Sequence, residues 1–595
     1  MSVQTHKGKW VFPIISALVF AYGCSDGAST GAAGLSTPST SAETQAPTGT
    51  SEGSETATGS EAPANQSVTL LQTKEQAARF LNTMTFGASI EDINAAVGRD
   101  AADILAEEFA KDPTYILQTV QDFVDAAGRD RSRIAASEFQ NSAIFGDDQL
   151  RQRMVFALSQ IFVVSSNVSN NSPGMAYYVD RLSENAFGNY RDLLEDITLT
   201  PNMGEYLTYL RNLPTDLETG RVPDENYARE ILQLFSVGLF ELENDGTPVL
   251  GADGQPIELY TNEDISGLAR VFTGIGGQTD FRFQLDRTLP LGLHDNFHDQ
   301  LEKSFLGLTI PAGTGIEETL NLALDHIANH KNVGPFISRQ LIQRFTDSNP
   351  PPNYVHIVAE AFDTGTYIAA NGRRFGSGQR GDFEATLAAI LLDQDLFNGR
   401  AQWGLDRGKV REPILHMFHW ARAFNIEGTA LPVDGASEPG RSFFVQTDFN
   451  GFSQALFRAP SVFNFYRPGY IAPGTETGNR GLTVPEFQIF NEGSYIPVAN
   501  LMMNFVAQSR FNRPFDNWIA DYSTEIELAD DAAALVDHLN LLLVSGRLTD
   551  ETKAEISELI GNIEITDAPD SDDRLTRVEA AILAIIARPE FIVWR

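Results

Sequence analysis

From Val68 onward, apolar residues recur mainly at the three- and four-residue spacing of amphipathic helices. Thr73 to Gln76 has the form of a capping box ahead of the first apolar stripe, and Gly87 is a predicted helix stop. Val578 to Ala587 is apolar nearly all round, which predicts a buried helix. Further stripes predict helices around Leu150, Met154, Leu158 and Ile161, around Leu320, Leu324 and Ile327, around Phe336, Ile337 and Leu341, and around Leu535, Leu539 and Leu542.

Strand signals are few. The best lies between Phe240 and Tyr260, where Asn244-Asp245-Gly246 and Asp253-Gly254 are typical of hairpin turns. No alternation of strands and helices indicates a parallel sheet.

Two stretches rich in Gly, Pro and Asn, from about Gly274 to Pro311 and from about Gly428 to Pro497, are predicted to be long loops rather than domain boundaries. The predicted fold is therefore mainly α. We expect one large multi-helix domain over residues 67–595, with a small β-hairpin insertion and long loops.

The first residues have the organisation of an export signal. Lys7 and Lys9 precede the uncharged run from Val11 to Tyr22, which is shorter than the roughly 20 residues that span a bilayer. Ala21-Tyr22-Gly23-Cys24 resembles a lipobox, in which the cysteine receives a diacylglycerol and the chain is cut just before it. Residues 1–23 are predicted to be a lipoprotein signal peptide with Cys24 as the lipidation site. An ordinary secretory signal with an incidental cysteine is the alternative.

Residues 24–66 are predicted to form a disordered tether. Ser25 to Gln66 contains no aromatic residue, Lys or Arg, and consists mostly of Ser, Thr, Gly, Ala, Pro and Glu. Such a segment cannot bury enough apolar surface to offset its ordering entropy. Ser25 rather than Asp after the cysteine resembles the sorting signal for the outer membrane, so we expect an exported, membrane-anchored protein.

The charge of the chain excludes one class of partner. With 79 acidic and 43 basic side chains, the formal net charge is −36. Nucleic acid binding depends on basic side chains that displace counterions, so no nucleic acid partner is expected. The single cysteine excludes an internal disulfide and thiolate-rich zinc sites.

Two apparent motifs lack the structural context that their chemistry needs. Gly27 to Gly31 fits the G-x-S-x-G pattern but lies in the tether, where no strand and helix can hold the serine. Gly376 to Gly381 fits G-x-G-x-x-G but follows polar, turn-like residues instead of a buried strand. We interpret both as loop sequence.

The densest polar cluster runs from Pro223 to Phe235. Asp224 is a predicted cap, and residues four apart share a helix face in two pairs: Glu225 with Arg229, and Asn226 with Glu230. A second helix is predicted from Asp264 to Gly274 and carries Arg270. The candidate catalytic residues are Glu230, Arg229, Arg270 and Asn226. A structural ion-pair network is the alternative interpretation.

Histidines supply the candidate metal ligands. His294, His298 and Asp299 combine imidazole and carboxylate groups within a short loop, a mixture that divalent transition metals favour, although spacing alone favours polar loop packing over a metal site. His416 and His419 lie among apolar residues, which favours core packing. No cofactor is predicted, and a divalent metal is considered only at the first site.

Several segments occur in one order that resembles the bacterial family called domain of unknown function 1800. The similarity extends from about Ala77 to the C-terminus. These segments are Phe80 to Gly87, Asn226 to Gly238, Leu268 to Gly274, His298-Asp299 with Lys303 and Leu306-Gly307, Pro335 to Phe345, and Lys409 to Pro413. The resemblance implies an exported, helical protein without an assigned reaction. It also implies a partner, because such proteins are often encoded beside a secreted family, domain of unknown function 1501, which looks like the alkaline phosphatase superfamily.

Two functional hypotheses arise from these observations. In the first, the protein is a binding or accessory lipoprotein of the envelope, and Arg229, Glu230 and Arg270 are buried and satisfy one another. In the second, it is an envelope hydrolase or metal-assisted enzyme with Glu230 as general base. That hypothesis expects an accessible cleft that unites Glu230, Arg270 and His298, with the His294 and His298 segment as metal ligands or lid.

Overall fold

The computed structural model describes residues 69–130, 133–283, 285–393, 407–428, 452–507, 518–566 and 572–594. The chain divides into two units, Met1–Ser67 and Val68–Arg595, and the described residues all belong to the second. The predicted signal peptide, Cys24 and the predicted tether lie outside the described residues, as does the Gly27 to Gly31 motif.

Helices dominate the described residues, which confirms the predicted fold class. They are α1 (Lys74–Met84), α2 (Ile90–Ala96), α3 (Ala101–Phe109), α4 (Leu117–Ala127), α5 (Ile134–Phe145), α6 (Gln149–Ser159), α7 (Ser172–Glu184), α8 (Tyr190–Thr198), α9 (Pro201–Tyr206), α10 (Asn226–Gln233), α11 (Asn262–Ala269), α12 (Ile316–Ala328), α13 (Val333–Phe345), α14 (Pro352–Thr364), α15 (Phe383–Leu391), α16 (Pro413–Ala423), α17 (Glu476–Asn479), α18 (Glu492–Val506), α19 (Ser523–Leu528), α20 (Ala532–Val544), α21 (Asp550–Gly561), α22 (Asp573–Ile586) and α23 (Pro589–Ile592). Within the described part of the chain, no helix is both long enough and apolar enough to cross a bilayer.

Strands are short and pair only in twos within the described ranges. They are β1 (Ile275–Gly276), β2 (Gly292–Leu293), β3 (Lys303–Phe305), β4 (Leu308–Ile310), β5 (Tyr367–Ile368), β6 (Arg374–Phe375), β7 (Lys409–Val410), β8 (Glu427–Gly428), β9 (Trp518–Ile519) and β10 (Val593–Trp594). The pairs are β1–β2, β3–β4, β5–β6, β7–β10 and β8–β9, and all are antiparallel. The β7–β10 pair brings the end of the chain to Lys409, because Trp594 lies opposite that residue.

The first helix begins as predicted. Thr73 accepts a hydrogen bond from the backbone of Gln76, whose side chain in turn accepts from the backbone of Thr73. Gly87, however, is not the residue that ends this helix. The helix ends at Met84, and a Cβ at Gly87 would lie 2.9 Å from the Cα of His419, so the glycine serves close packing against α16.

The predicted hairpin region forms chain reversals held by isolated antiparallel bridges. Phe240 pairs with Glu258, Leu242 with Pro248, and Leu250 with Pro256. Two of these partners are prolines, which have no N–H to donate to a ladder. The chain therefore turns where the sequence predicts, while extended strands do not form there.

The stretch predicted as a long loop after Gly274 is more ordered than expected. It contains β1 to β4 and a short 3-10 helix, Asp295–Phe297. His298, which lies between β2 and β3, makes a long-range contact with the carbonyl oxygen of Thr273. Contacts of this kind leave no periodic signal in the sequence.

One continuous apolar core runs through the unit, with members from Leu71 to Phe591. The stripes predicted at Leu150, Leu320, Ile337 and Leu539 all lie in it. Its largest fully buried side chains include Trp420, a residue of α16, and α16 also carries the two buried histidines.

Candidate functional site

Helix α10 carries Glu230 into the interior. Its side chain is only 7% exposed, and Oε2 has no hydrogen-bond partner within the described part of the chain. Burial raises the pKa of Glu230, and the neighbouring Arg229 charge offsets this in part. A buried carboxyl group with a raised pKa is a candidate general acid or base.

Two tyrosines from other elements lie near this carboxyl group. Burial, followed by the negative charge of Glu230, raises the pKa of Tyr206 and of Tyr260 to about 12. The Oη of Tyr260 is also buried and has no hydrogen-bond partner among the described residues. We call Glu230, Tyr206 and Tyr260 the Glu230 cluster. Sequence reasoning missed the two tyrosines, because they belong to other segments and carry no spacing signal.

Asn226 and Arg229 lie on the partly exposed side of α10. The N-cap of α10 is Glu225 and not the predicted Asp224, although the carboxylate of Asp224 accepts a hydrogen bond from the backbone N–H of Asn226 at 2.9 Å. The Nδ2 of Asn226 lies 3.4 Å from Thr208 Oγ1. Arg229, with 41% of its side chain exposed, lies 3.5 Å from Glu225. Glu225 also accepts a hydrogen bond from Ser266 of α11.

The side chain of Arg270 forms its hydrogen bond with the segment before β3 and not with α10. Its Nη1 donates to the carbonyl oxygen of Glu302 at 2.8 Å, just before β3. No hydrogen bond or ion pair of the described residues joins Arg229, Glu230 and Arg270 to one another. The mutually satisfied network expected in the first hypothesis therefore does not form, since Arg229 is half-exposed and Glu230 is unpartnered.

His298 and Asp299 are buried, and their side chains form hydrogen bonds with backbone groups of the surrounding segments. His298 Nδ1 lies 3.0 Å from the carbonyl oxygen of Thr273. The two carboxylate oxygens of Asp299 accept from the N–H groups of Thr215 and Leu301, each at 2.9 Å. Burial lowers the pKa of His298, so the imidazole is neutral near pH 7. These contacts anchor the loop before β3.

His294 lies on the same loop but makes separate contacts. Its Nε2 is 2.7 Å from the carbonyl oxygen of Gly277, and its ring packs against Phe281. Across the described ranges, no group of three or more His, Cys, Asp or Glu side chains is arranged to hold a metal ion. The structure thus does not assemble His294, His298 and Asp299 into such a group.

His416 and His419 pack in the core. Both lie against the ring of Phe591, and His419 Nδ1 is 2.7 Å from a guanidinium nitrogen of Arg411. Burial, followed by the Arg411 charge, lowers the pKa of each histidine well below its ordinary value.

Three deeply buried charged side chains form a cluster that sequence reasoning missed. Lys409 Nζ lies 2.5 Å from Glu486 and 3.9 Å from Glu412, and all three side chains are buried. Glu412 also accepts hydrogen bonds from Gln160 at 2.6 Å and from Gln454 at 2.5 Å. We call Lys409, Glu412 and Glu486 the interior charge centre. In the sequence, Lys409 to Pro413 is notable only as one of the segments that carry the family resemblance. Two of its residues, Lys409 and Glu412, belong to this centre.

Buried arginines surround the interior charge centre. Arg344 is 1% exposed and lies over the ring of Tyr466, with its Cζ 5.2 Å from the centroid. Burial lowers the pKa of Arg153 to about 10 and that of Arg411 to about 9. A sequence signal existed for Arg153, because it stands between the core residues Leu150 and Met154 on a helix that is buried nearly all round.

Comparison with known proteins identifies the family. The family model described as "Protein of unknown function (DUF1800)" matches residues 79–593. The chain belongs to the DUF1800 family. Neither the comparison with curated proteins nor that with solved structures gave a match.

The DUF1800 region includes both the Glu230 cluster and the interior charge centre. The family description assigns no reaction to either of them. The resemblance seen in the sequence is thus confirmed.

Proposed function

We propose that this DUF1800 protein is an exported lipoprotein, anchored through Cys24 and acting as a binding or accessory component in envelope or secretion processes. The observation that carries the proposal is the position of its one cysteine, between a short apolar run and a segment without aromatic or basic residues. A lipidated cysteine followed by residues 25–66 would let the folded unit reach roughly 35 Å from the membrane.

The charge of the chain supports attachment by lipid rather than by electrostatics. A net charge of −36 is repelled by anionic lipid headgroups, so stable residence on a membrane needs acyl chains. The residue after the cysteine, Ser25, favours the outer membrane in this proposal.

Exposed apolar side chains support a binding role. Leu217 is 81% exposed and Val222 is 71% exposed, and both lie in the loop that leads into α10. Leu250 and Ile257 are exposed in the bridged hairpins that follow. Contiguous exposed apolar surface is typical of protein interaction sites, and in this proposal Leu217 and Val222 belong to such a surface. The partner we propose is a secreted protein of the domain of unknown function 1501 family, with no role for nucleic acid.

The first experiment tests the anchor. Cells that express the wild type or Cys24→Ser are fed an alkyne fatty acid, and the protein is recovered and probed for the label. We expect label and membrane residence for the wild type only. Equal labelling of the variant, or membrane residence without label, would overturn the lipoprotein proposal.

The second experiment tests the partner. The wild type and a Leu217→Ser/Val222→Ser variant are captured from solubilised membranes, and co-purified proteins are identified by mass spectrometry. Ile368→Ser is the matched control, because Ile368 is similarly exposed but lies in β5. We expect the double variant to lose a secreted partner that the control retains, and identical recoveries would contradict this surface.

A second candidate function is favoured by one observation, the unpartnered carboxyl group of Glu230 with its raised pKa. In an envelope hydrolase or metal-assisted enzyme, Glu230 would act as general base with Arg229 or Arg270 nearby. Turnover of chromogenic esters, phosphates and glycosides is compared for the wild type and Glu230→Gln, together with metal analysis of the purified protein. Activity that is lost in the variant supports this candidate, and no turnover above that of a buffer blank removes it.

A further inference from the structure

A cavity of about 30 Å³ lies where α1, α6, β7 and β10 meet. Three cationic side chains line it, Arg153, Lys409 and Arg411, and no acidic side chain of the described residues does. Among the described residues that line it, Asn82 is the one that is partly exposed, so we place the route from solvent beside Asn82. On this measure of volume, a water needs about 10–15 Å³, so the space holds about two waters, a halide ion or the oxygens of one carboxylate group.

The three cations differ in their partners. Lys409 is paired with Glu486, which does not line the cavity. Arg153 donates from Nη2 to the carbonyl oxygen of Arg344 at 2.9 Å, and its Nη1 is buried without a partner among the described residues.

Arg411 also has no carboxylate partner within the described ranges. It donates to the carbonyl oxygens of Phe591 and Leu415, each at 3.3 Å. Its third contact is the neutral ring of His419. Two arginines therefore line one small space. Glu412 is close enough to Arg153 to raise its pKa but does not line the cavity, and no acidic group among the described residues acts on Arg411.

The local excess of positive charge is opposite to the composition of the chain. Although acidic residues outnumber basic ones by 79 to 43 in the whole chain, none within the described ranges lines this cavity. Aromatic rings compensate the charges in part, since Arg153 lies over Phe345 at 5.0 Å and Arg411 over Phe591 at 4.7 Å. Ring contacts are weaker than a counterion for a desolvated charge. Burial lowers the pKa of both arginines, but to values that leave them protonated near neutral pH.

We propose that this cavity is a binding site for a small monovalent anion, either a free halide or the carboxylate group of an organic ligand, held by Arg153 Nη1 and the guanidinium of Arg411. The anion enters beside Asn82. It neutralises charge at the point where the first helix, β7 and the final strand meet, so its binding stabilises the whole unit. This inference does not depend on the proposed membrane anchor or partner.

Thermal unfolding of the intact chain in a non-ionic detergent tests the site. Unfolding is followed in sodium chloride, in sodium formate and in sodium gluconate at equal ionic strength, because gluconate is too large for the cavity. We expect Tm to rise with chloride or formate concentration and not with gluconate. A response to formate alone identifies a carboxylate ligand, and a response to chloride identifies a halide site. Equal Tm in all three salts overturns the proposal.

Two variants localise the effect. Arg153→Gln is expected to weaken the apparent anion affinity at least about tenfold, since it removes the unpartnered charged donor. Arg373→Gln is the matched control, because Arg373 makes an exposed ion pair with Asp103 and does not line the cavity. An unchanged anion response in Arg153→Gln contradicts the site.

Diffraction gives a test that needs no variant. Crystals of the wild type soaked in bromide are measured at the bromine absorption edge. We expect an anomalous peak between Arg153 and Arg411. The absence of such a peak, together with equal Tm in the three salts, would leave only water in the cavity and would end the proposal even if Arg153→Gln does not fold.

Discussion

Lys409 Nζ lies 2.5 Å from Glu486 Oε1, and both side chains are almost completely buried. The pair joins β7 to the 3-10 helix Pro485–Gln488, which is distant in sequence. Buried ions are stable only when they are paired and hydrogen-bonded. This contact is therefore a point at which a single change should have a large effect.

Lys409→Met should destabilise the fold by about 3–5 kcal/mol, because it leaves Glu486 as an uncompensated buried charge. The double variant Lys409→Met/Glu486→Leu should be more stable than Lys409→Met alone. Urea unfolding of the wild type, both single variants and the double variant measures the coupling. A loss below about 1 kcal/mol for Lys409→Met would place the pair with the weak surface ion pairs.

Glu230→Gln should raise Tm at pH 7.5 by about 1–2 °C. Burial raises the pKa of Glu230 in the folded state above its unfolded value. A carboxyl group with this shift contributes stability below its unfolded pKa and loses that contribution as the pH rises through the folded pKa. The difference between variant and wild type should therefore shrink as the pH falls toward 4.

The control for this prediction is Glu243→Gln, which changes an exposed carboxylate in the bridged hairpin region. It should leave Tm unchanged at both pH values. A lower Tm for Glu230→Gln at pH 7.5 would mean that the carboxylate is stabilised by partners, contrary to its unpartnered Oε2.

Trp594→Ala should destabilise the fold by about 3–5 kcal/mol, through the cavity that it leaves. The indole is buried beside Arg411, and its Nε1 donates to Thr83 Oγ1 at 3.1 Å. Trp594→Phe keeps most of the ring and loses this hydrogen bond, so it should cost only about 1 kcal/mol. Chemical denaturation separates the two, and equal losses would indicate that the hydrogen bond, not the ring packing, is the main contribution.

Thr73→Ala should cost about 1 kcal/mol, because it removes the side-chain acceptor of the first capping box. Thr73→Ser retains the hydroxyl group and serves as the control. Urea unfolding of both variants should show a loss for alanine and little change for serine. A neutral alanine variant would indicate that the first turn is already frayed in the folded protein.

Much of the secondary structure could be predicted, because its causes are local. A capping box links residues three apart, and an apolar stripe places side chains of consecutive turns on one face. The helices around Leu150, Leu320 and Leu539 followed from that rule. The helix at Asn226 also did, including the ion pair of Glu225 with Arg229, although its N-cap is Glu225 and not Asp224.

The surroundings of the catalytic candidates could not be predicted from neighbouring residues alone. Residues four apart on α10 share a face, but what that face meets depends on other elements. Tyr206 belongs to α9, and Tyr260 follows the bridged hairpin region. Both lie close enough to Glu230 for its negative charge to raise their pKa. Arg270, expected to join them, donates instead to Glu302.

By itself, the sequence determined that this protein is mainly helical, that its motifs occur in the order of one family, and where its first helix begins. Only the tertiary structure decided that Lys409, Glu412 and Glu486 meet in the interior and that Arg153 and Arg411 face one cavity. The reason is that a helix depends on contacts between near neighbours, whereas a buried charge depends on partners that the chain brings together from separate segments.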